Sequence, residues 1–169
     1  MDKKVTALLN QQINKEFFSA YLYLSFANYC EGRGLSGFAN WYNIQAQEER
    51  DHAMLIVKYL QNNGEILIYE EIKKPANTWE NELAVLKAGL AHEKYITDSI
   101  NTIYATALDV KDFRTTQFLD WFIKEQGEEE TNAIELIQKA ELIGHDGNGL
   151  YLLDQELFTR VYAAPSLVL

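Results

Sequence analysis

Four glutamates and one histidine stand within or beside the faces where a helical bundle would normally bury apolar side chains. They are Glu16, Glu49, His52, Glu93 and Glu129. Glu49 and His52 are three residues apart, a spacing that on a helix presents a carboxylate oxygen and an imidazole nitrogen to one point. A mixed set of oxygen and nitrogen ligands suits iron or zinc better than calcium. The chemistry indicated by these residues is therefore metal binding.

The surroundings of the four glutamates strengthen this interpretation. Three of them lie within the apolar face of a predicted helix, and Glu16 flanks another such face. Each lies near the midpoint of its helix, so the four should meet in one layer at the middle of a bundle. Carboxylates gathered in an apolar layer repel each other and take up protons unless cations lie among them. One such glutamate would more often reach water from the edge of its face, but the coincidence of four indicates a metal site.

Helical periodicity predicts four long helices followed by a short one. Their expected bounds are roughly residues 5–31, 36–63, 78–108, 113–143 and 148–162. The first helix is expected to bury Leu9, Ile13, Phe17, Ala20, Leu24 and Ala27. The second is expected to bury Phe38, Tyr42, Gln45, Glu49, Ala53, Ile56 and Leu60. The short fifth helix carries Leu150, Leu153, Leu157 and Val161, and this apolar helix needs a partner to pack against.

The connections between these helices decide how the bundle is threaded. Tight turns join the first helix to the second and the third to the fourth, so each pair should be antiparallel. About 13 residues precede the third helix, which is expected to start after Asn77, with Glu80 completing a capping-box-like pattern. Extended, they span at most ~45 Å, close to the ~42 Å length of such helices. The sequence therefore predicts one all-α domain over residues 1–169, a four-helix bundle with one long crossover loop.

Composition excludes several classes of function. The chain has 25 acidic and 15 basic residues, a net charge of −10, which argues against binding to nucleic acid. No apolar run approaches the ~20 residues that span a bilayer, and the start Met1-Asp2-Lys3-Lys4 is unlike a signal peptide. The single Cys30 excludes an intrachain disulfide framework and a cysteine-rich metal site. We therefore expect a cytoplasmic protein without a membrane partner.

The chain resembles the bacterial non-haem ferritins of the ferritin-like di-iron superfamily. The resemblance covers nearly the whole chain and rests on motifs in four helices and on the tail. They are Asn14-Lys15-Glu16, Glu48-Glu49-Arg50-Asp51-His52, His92-Glu93, Glu125-Gln126-Gly127-Glu128-Glu129-Glu130, and Leu142-Ile143-Gly144 through Gly149-Leu150-Tyr151-Leu152. The fold that it implies is the ferritin-like four-helix bundle with a short fifth helix.

The resemblance also implies a role for each core residue. It makes Glu16, Glu49 and His52 the ligands of a first iron. Glu49 would bridge to a second iron, which Glu93 and Glu129 complete.

Gln126 and Tyr23 receive supporting roles from the same resemblance. Gln126 would be a hydrogen-bonding residue near the dioxygen position. Tyr23, two turns from Glu16, could hydrogen-bond a ligand or supply an electron, although a plain core tyrosine remains an alternative. Gln126 and Glu129 stand where a di-iron oxygenase has a second Glu-x-x-His, so the two iron positions are unequal. This favours a protein that passes oxidised iron onward over one that keeps a permanent cofactor.

Bacterial ferritins often have a third, weaker iron site. The matching residues are Glu48, Glu125 and Glu128, which would share Glu129. The alternative for these three side chains is an acidic face in contact with solvent.

The activity implied is that of a ferroxidase, which oxidises Fe(II) with dioxygen and deposits the iron inside a hollow homo-oligomer of 24 subunits. Haem is not expected, because Arg50 stands where a bacterioferritin has its haem-ligating methionine. One cysteine cannot supply the rubredoxin module of a rubrerythrin, and a Dps-type protein would lack the fifth helix. From a different class, the chain could be a structural subunit or another helical bundle without catalysis.

Overall fold

The computed structural model describes residues 1–168 and contains five helices. They are α1 (Lys3–Gly32), α2 (Ser36–Asn62), α3 (Glu82–Asp109), α4 (Phe113–Ile143) and α5 (Gly147–Phe158). The first four form the bundle, and α5 packs against α2 and α4. Over the described residues there are no strands, so the predicted all-α fold with a short fifth helix is confirmed. Within the same residues, no helix is long and apolar enough to cross a membrane.

Most of the helices begin at a polar side chain that accepts a hydrogen bond from a free N–H of the first turn. The capping residues are Asp2 for α1, Asn81 for α3, Asp112 for α4 and Asp146 for α5. The predicted start of the third helix after Asn77 is therefore wrong. The helix begins at Glu82 because Asn81 Oδ1, 2.9 Å from the backbone nitrogen of Ala84, supplies the cap.

The start of α2 is capped by another helix. Leu35 precedes it, and its apolar side chain cannot accept a hydrogen bond. Asp154 of α5 does so instead, with Oδ1 at 2.8 Å from the backbone nitrogen of Gly37 and 3.1 Å from that of Phe38. A Cβ atom at Gly37 would lie 1.7 Å from the carbonyl oxygen of Asp154. The position of α5 thus depends on a glycine in α2 and an aspartate in α5.

The end of α5 differs from the prediction. The helix ends at Phe158, whereas residue 162 was expected, and Val161 is 82% exposed. Asn40 of α2 explains the early end, because its amide donates to the carbonyl oxygens of Leu157, Phe158 and Arg160 at 3.1–3.3 Å. These donations satisfy carbonyl groups that the helix itself leaves free.

The crossover loop, residues 63–81, runs along α1 and is longer than predicted. Early in the loop, the Asn10 amide group binds the carbonyl oxygen of Ile66 and the backbone nitrogen of Ile68. Further on, Asn14 donates to the carbonyls of residues 70 and 71, and Ser25 donates to that of residue 76. The loop therefore runs along most of α1 in the same direction as that helix, which confirms the long crossover.

Side-chain pairs give the directions of the helices. Tyr59 near the end of α2 stacks on Phe118 near the start of α4, with ring centroids 3.9 Å apart. Gln12 and Tyr23 of α1 face residues 99 and 93 of α3, respectively. α2 and α4 are consequently antiparallel, and so are α1 and α3, as in a bundle with one long crossover.

The predicted buried face of α2 is correct at every position, whereas that of α1 is partly wrong. Leu24 is 48% exposed, and Leu22, Phe26 and Cys30 are buried in its place. α1 packs against both α2 and α3. The side chains on the faces toward these two helices are buried, whereas Leu24 lies on the outer face.

Candidate metal centre

The polar residues lie in a layer between two apolar clusters. On α2, one cluster contains Phe38, Ala39, Tyr42 and Ala46, and the other contains Ile56, Val57, Tyr59 and Leu60. The same division recurs on the other long helices, between Ile13 and Leu22 on α1. Within these gaps lie Glu16, Glu49, His52, Glu93, Gln126 and Glu129, all buried. The structure therefore places the six side chains at the middle of the bundle.

Three of these residues form a compact group. Glu16, Glu49 and His52 each offer a ligand atom, and the three atoms lie within 4.8 Å of one another. His52 Nδ1 lies 3.4 Å from Glu49 Oε2, so the Glu-x-x-His spacing brings the two groups together as expected. All three side chains are at least 98% buried. A single cation could contact one atom from each of them.

A chain of hydrogen bonds orients Glu16. Gln12, one turn earlier on α1, donates from Nε2 to Glu16 Oε1 at 2.8 Å. Gln12 Oε1 accepts from the Ser99 hydroxyl of α3 at 2.5 Å, and that hydroxyl oxygen lies 2.6 Å from Lys15 Nζ. Since Gln12 takes up Oε1, the other oxygen of Glu16 is left for the metal. Among residues 1–168, that second oxygen has no hydrogen-bond partner.

Glu93 and Glu129 are held by neighbouring side chains. The Tyr23 hydroxyl donates to Glu93 Oε1, and Gln126 Nε2 donates to Glu93 Oε2 at 3.1 Å. Gln45 Nε2 donates to Glu129 Oε2 at 2.8 Å. Tyr23 and Gln126 are thus both in contact with a predicted ligand of the second iron.

Burial and like charges raise the pKa values of the carboxyl groups. Burial raises the pKa of Glu49 well above its usual range, and the charges of Glu93, Glu16 and Glu129 raise it further. Burial also raises the pKa of Glu16, although the charge of His52 opposes this effect. Burial and the charge of Glu129 raise the pKa of Glu93 to about 8. Within residues 1–168, both oxygens of Glu49 lack a hydrogen-bond partner, so this carboxylate is the group that most needs a cation.

The three glutamates expected at the third site differ in burial and in their ion-pair partners. Glu48 Oε2 pairs with Arg160 Nη2 at 2.7 Å. Burial raises the pKa of Glu48 to about 7 and also raises that of the half-buried Glu125. Glu128 is exposed and pairs with Lys124 at 3.2 Å. Glu48 and Glu125 flank the buried layer, whereas Glu128 faces outward.

Some residues of the centre were not anticipated from sequence. Gln12 could have been found, because it stands one turn from Glu16 on a predicted helix. His92, which precedes the predicted ligand Glu93, is half-buried, and its Nε2 lies 2.7 Å from the Ser19 hydroxyl. Burial lowers the pKa of His92 to about 4. Arg160 carries no sequence signal, since it is distant from Glu48 along the chain.

A helical bundle with a buried carboxylate and histidine cluster at its middle defines the class of ferritin-like metal proteins. Residues 6–143 match the family model of the ferritin-like domain. The chain is 41% identical to the bacterial non-haem ferritin of Campylobacter jejuni, with 92% of this chain and 93% of that protein covered. It is 38% identical to that of Staphylococcus epidermidis, with 96% and 98% covered. The chain therefore belongs to the ferritin family of iron-storage proteins.

Solved structures agree with this assignment. The structure is similar to that of the open-pore ferritin of the hyperthermophilic archaeon Archaeoglobus fulgidus, with a TM-score of 0.94 and 39% identity. The alignment covers 95% of this chain and 99% of that one. A closed form of the same ferritin, engineered by site-directed mutagenesis, gives a TM-score of 0.95 at 39% identity, with 96% and 99% covered. The resemblance inferred from the sequence motifs is thereby confirmed.

Proposed function

We propose that the chain is a ferroxidase that oxidises Fe(II) with dioxygen at a centre within one subunit. The observation that carries this proposal is the buried group of Glu16, Glu49 and His52, in which neither oxygen of Glu49 has a hydrogen-bond partner among residues 1–168. Such a carboxylate is stable as an anion only beside a cation. Hard oxygen ligands favour iron over softer metals, and a carboxylate-rich set favours its ferric product.

The proposed roles follow the contacts of each side chain. Glu16, Glu49 and His52 bind the first Fe(II). Glu93 and Glu129 would bind the second, and Glu49, whose two oxygens have no hydrogen-bond partner among residues 1–168, would bridge the two positions. Each iron would give one electron to dioxygen, which is thereby reduced to the peroxide level and takes up two protons to leave as hydrogen peroxide.

Gln126 and Tyr23 act on the second position through Glu93. Gln126 holds one carboxylate oxygen and borders the space where dioxygen would approach. Tyr23 holds the other oxygen of this carboxylate through its hydroxyl group. Both residues are buried, which keeps water away from the reacting atoms.

Storage requires an enclosed volume that a single bundle lacks. We therefore propose a homo-oligomer, the 24-subunit cage of the family, in the cytoplasm and without haem or nucleic acid. Oxidised iron would leave the centre through a third position formed by Glu48, Glu125 and Glu128, and then enter the cage. Light scattering that gave a monomer or a dimer would contradict storage and leave the metal centre standing.

The test of the activity is a Glu49→Gln variant, which keeps the shape of the side chain and removes its charge. Fe(II) is added in air and the ultraviolet absorbance of ferric species is followed. We expect the initial rate to fall at least about tenfold, because one ligand of both irons is lost. Glu135→Gln, the same change at an exposed position of α4, should oxidise iron at the wild-type rate.

Two outcomes would contradict the proposal. A wild-type rate equal to that of the protein-free control would favour a non-catalytic subunit. Unchanged oxidation by Glu49→Gln would place the reaction elsewhere in the molecule.

A further inference from the structure

The segment that follows α5 lies against the outside of the metal centre. This tail segment, residues 159–168, runs along α2 and reaches α4. The Tyr162 hydroxyl donates to Asp51 Oδ2 at 2.6 Å, and Trp121 Nε1 donates to the Ser166 hydroxyl at 3.0 Å. Asp51 and Trp121 both border the centre, since Asp51 precedes His52 and the Trp121 ring lies edge-on to the His52 ring at 5.4 Å. The tail segment therefore covers the side of the bundle where Glu48 lies.

Arg160 is the residue of this segment that contacts a predicted iron ligand. Its Nη2 lies 2.7 Å from Glu48 Oε2, and the two side chains are only 18% and 16% exposed. Its Cζ lies 4.0 Å from the centre of the Trp41 ring, and Nη1 donates to the Trp41 carbonyl oxygen at 3.4 Å. Asn40 fixes its backbone by donating to the Arg160 carbonyl oxygen at 3.1 Å. The guanidinium group is thus held at the carboxylate from several directions.

A fixed guanidinium and a metal ion compete for the same carboxylate. A charge-assisted hydrogen bond occupies the oxygen, and the positive charge beside it repels a dication. Arg160 contacts only Oε2 of Glu48, but a dication on the other oxygen would lie next to its positive charge, so a metal binds Glu48 tightly only when Arg160 has moved away. The deeper carboxylates, Glu16 and Glu49, have no such cation among their hydrogen-bonding partners in residues 1–168.

We propose that Arg160 is an internal cation that closes the third metal position at Glu48 while the tail segment is docked. This inference rests on the proposed function, because the third position has meaning only beside an iron-binding centre. Arg160 would then be a positioning residue that determines the order in which the three metal positions bind iron. The two buried positions bind iron first, and the position at Glu48 opens only when Arg160 leaves it.

The experiment is an anaerobic calorimetric titration of the whole protein with Fe(II). Arg160→Met removes the charge and keeps an apolar stem that can cover Trp41. Relative to wild type, we expect its third, weakest binding event to become about tenfold tighter or more, the effect of losing one charge-assisted hydrogen bond. The two tighter events should be unchanged, which also shows that the variant is folded.

Two further variants separate the charge of Arg160 from the packing of the tail. Tyr162→Phe removes the contact with Asp51, leaves Arg160 in place and should bind the third iron as weakly as wild type. The double variant Glu48→Gln, Arg160→Met should lose the gained affinity, because the carboxylate is gone.

Either of two results would overturn the inference. One is equal third-site affinity in wild type and Arg160→Met. The other is full retention of the gained affinity in the double variant Glu48→Gln, Arg160→Met, which would place the third metal away from Glu48. Absence of the two tighter events in wild type would instead contradict the proposed function, so the two failures are distinguishable.

Discussion

Burying the carboxylate of Glu49 without a hydrogen-bond partner is energetically unfavourable in the metal-free protein. This carboxyl group is 1% exposed and, within residues 1–168, neither oxygen is hydrogen-bonded. Burial and the nearby charges of Glu93 and Glu16 raise its pKa, because they disfavour the ionised form of the group in the metal-free chain. A bound cation removes this difficulty. The arrangement lowers the stability of the empty chain and raises its affinity for metal, as is common at functional sites.

Gln12 is expected to control metal affinity without contacting the metal. In Gln12→Leu the side chain still fills its buried space, but Glu16 Oε1 loses its donor and the carboxylate is free to rotate. We expect Fe(II) to bind the centre about 10 to 100 times more weakly, as is typical when a partner of a metal ligand is lost. Anaerobic titration calorimetry measures this change. Gln11→Leu, at the exposed neighbour, is the matched control, and wild-type affinity in Gln12→Leu would refute the role.

The ligands were predictable from sequence, but the residues that hold them were only partly so. A glutamate within an apolar face is conspicuous at any position, and the spacing of Glu49 and His52 adds a geometric signal. The link from Gln12 to Ser99 and Lys15 depends on how α1 and α3 are rotated against each other. That rotation results from packing between helices distant in sequence, and periodicity does not report it.

At the scale of the elements, the docking of α5 depends on a helix cap from a different part of the chain. Asp154 satisfies two free N–H groups of α2, and its charge is favourable beside the positive end of that helix. Asp154 is itself buried, so this contact has no competition from water. The capping contact explains why a short helix with a few apolar residues holds a defined position.

Asp154→Ala should therefore destabilise the protein and loosen α5. Loss of a capping side chain costs about 1–2 kcal/mol, and here two N–H groups are left buried. Hydrogen exchange followed by mass spectrometry should show faster exchange in residues 147–158, with α3 unchanged. Asp154→Asn keeps an acceptor and should exchange more slowly than Asp154→Ala. Glu156→Ala, which removes an exposed ion pair with Lys139, should have little effect. Equal exchange in the Asp154→Ala and Glu156→Ala variants would contradict the capping role.

The start of α3 and the end of α5 differ from the predicted helix boundaries. Asn77 and Asn81 are both suitable caps, and the sequence alone does not say which one the loop places at the helix start. Val161 continues the apolar spacing of α5, but Asn40 of α2 ends the helix first. A local cap at Asn81 therefore sets the start of α3, and a contact with a distant segment sets the end of α5, whereas the periodicity of α2 predicted its buried face correctly.

For the whole molecule, the buried carboxylates link stability to pH. A carboxyl group whose pKa is raised in the folded state keeps its proton where the unfolded chain has lost it. Burial and the charge of Glu129 raise the pKa of Glu93 from 4.5 to about 8, so between these pH values the folded state binds more protons. The free energy of unfolding of the metal-free protein should then decrease as pH rises through this window. The half-buried His92 acts in the opposite direction, because burial lowers its pKa from 6.5 to about 4, but its effect ends near pH 6.5.

The window from pH 6.5 to 8 therefore isolates the carboxylates, and urea unfolding with a chelator present measures the effect. We expect the midpoint of the wild-type protein to fall across this range. Glu93→Gln, which has no proton to lose, should show a smaller fall. Saturating Fe(II) under anaerobic conditions should abolish or reverse the trend, because the metal binds the ionised carboxylates and the folded state selectively. If wild type and Glu93→Gln respond equally to pH, the pKa of Glu93 is not raised in the folded state and Glu93 does not link stability to pH.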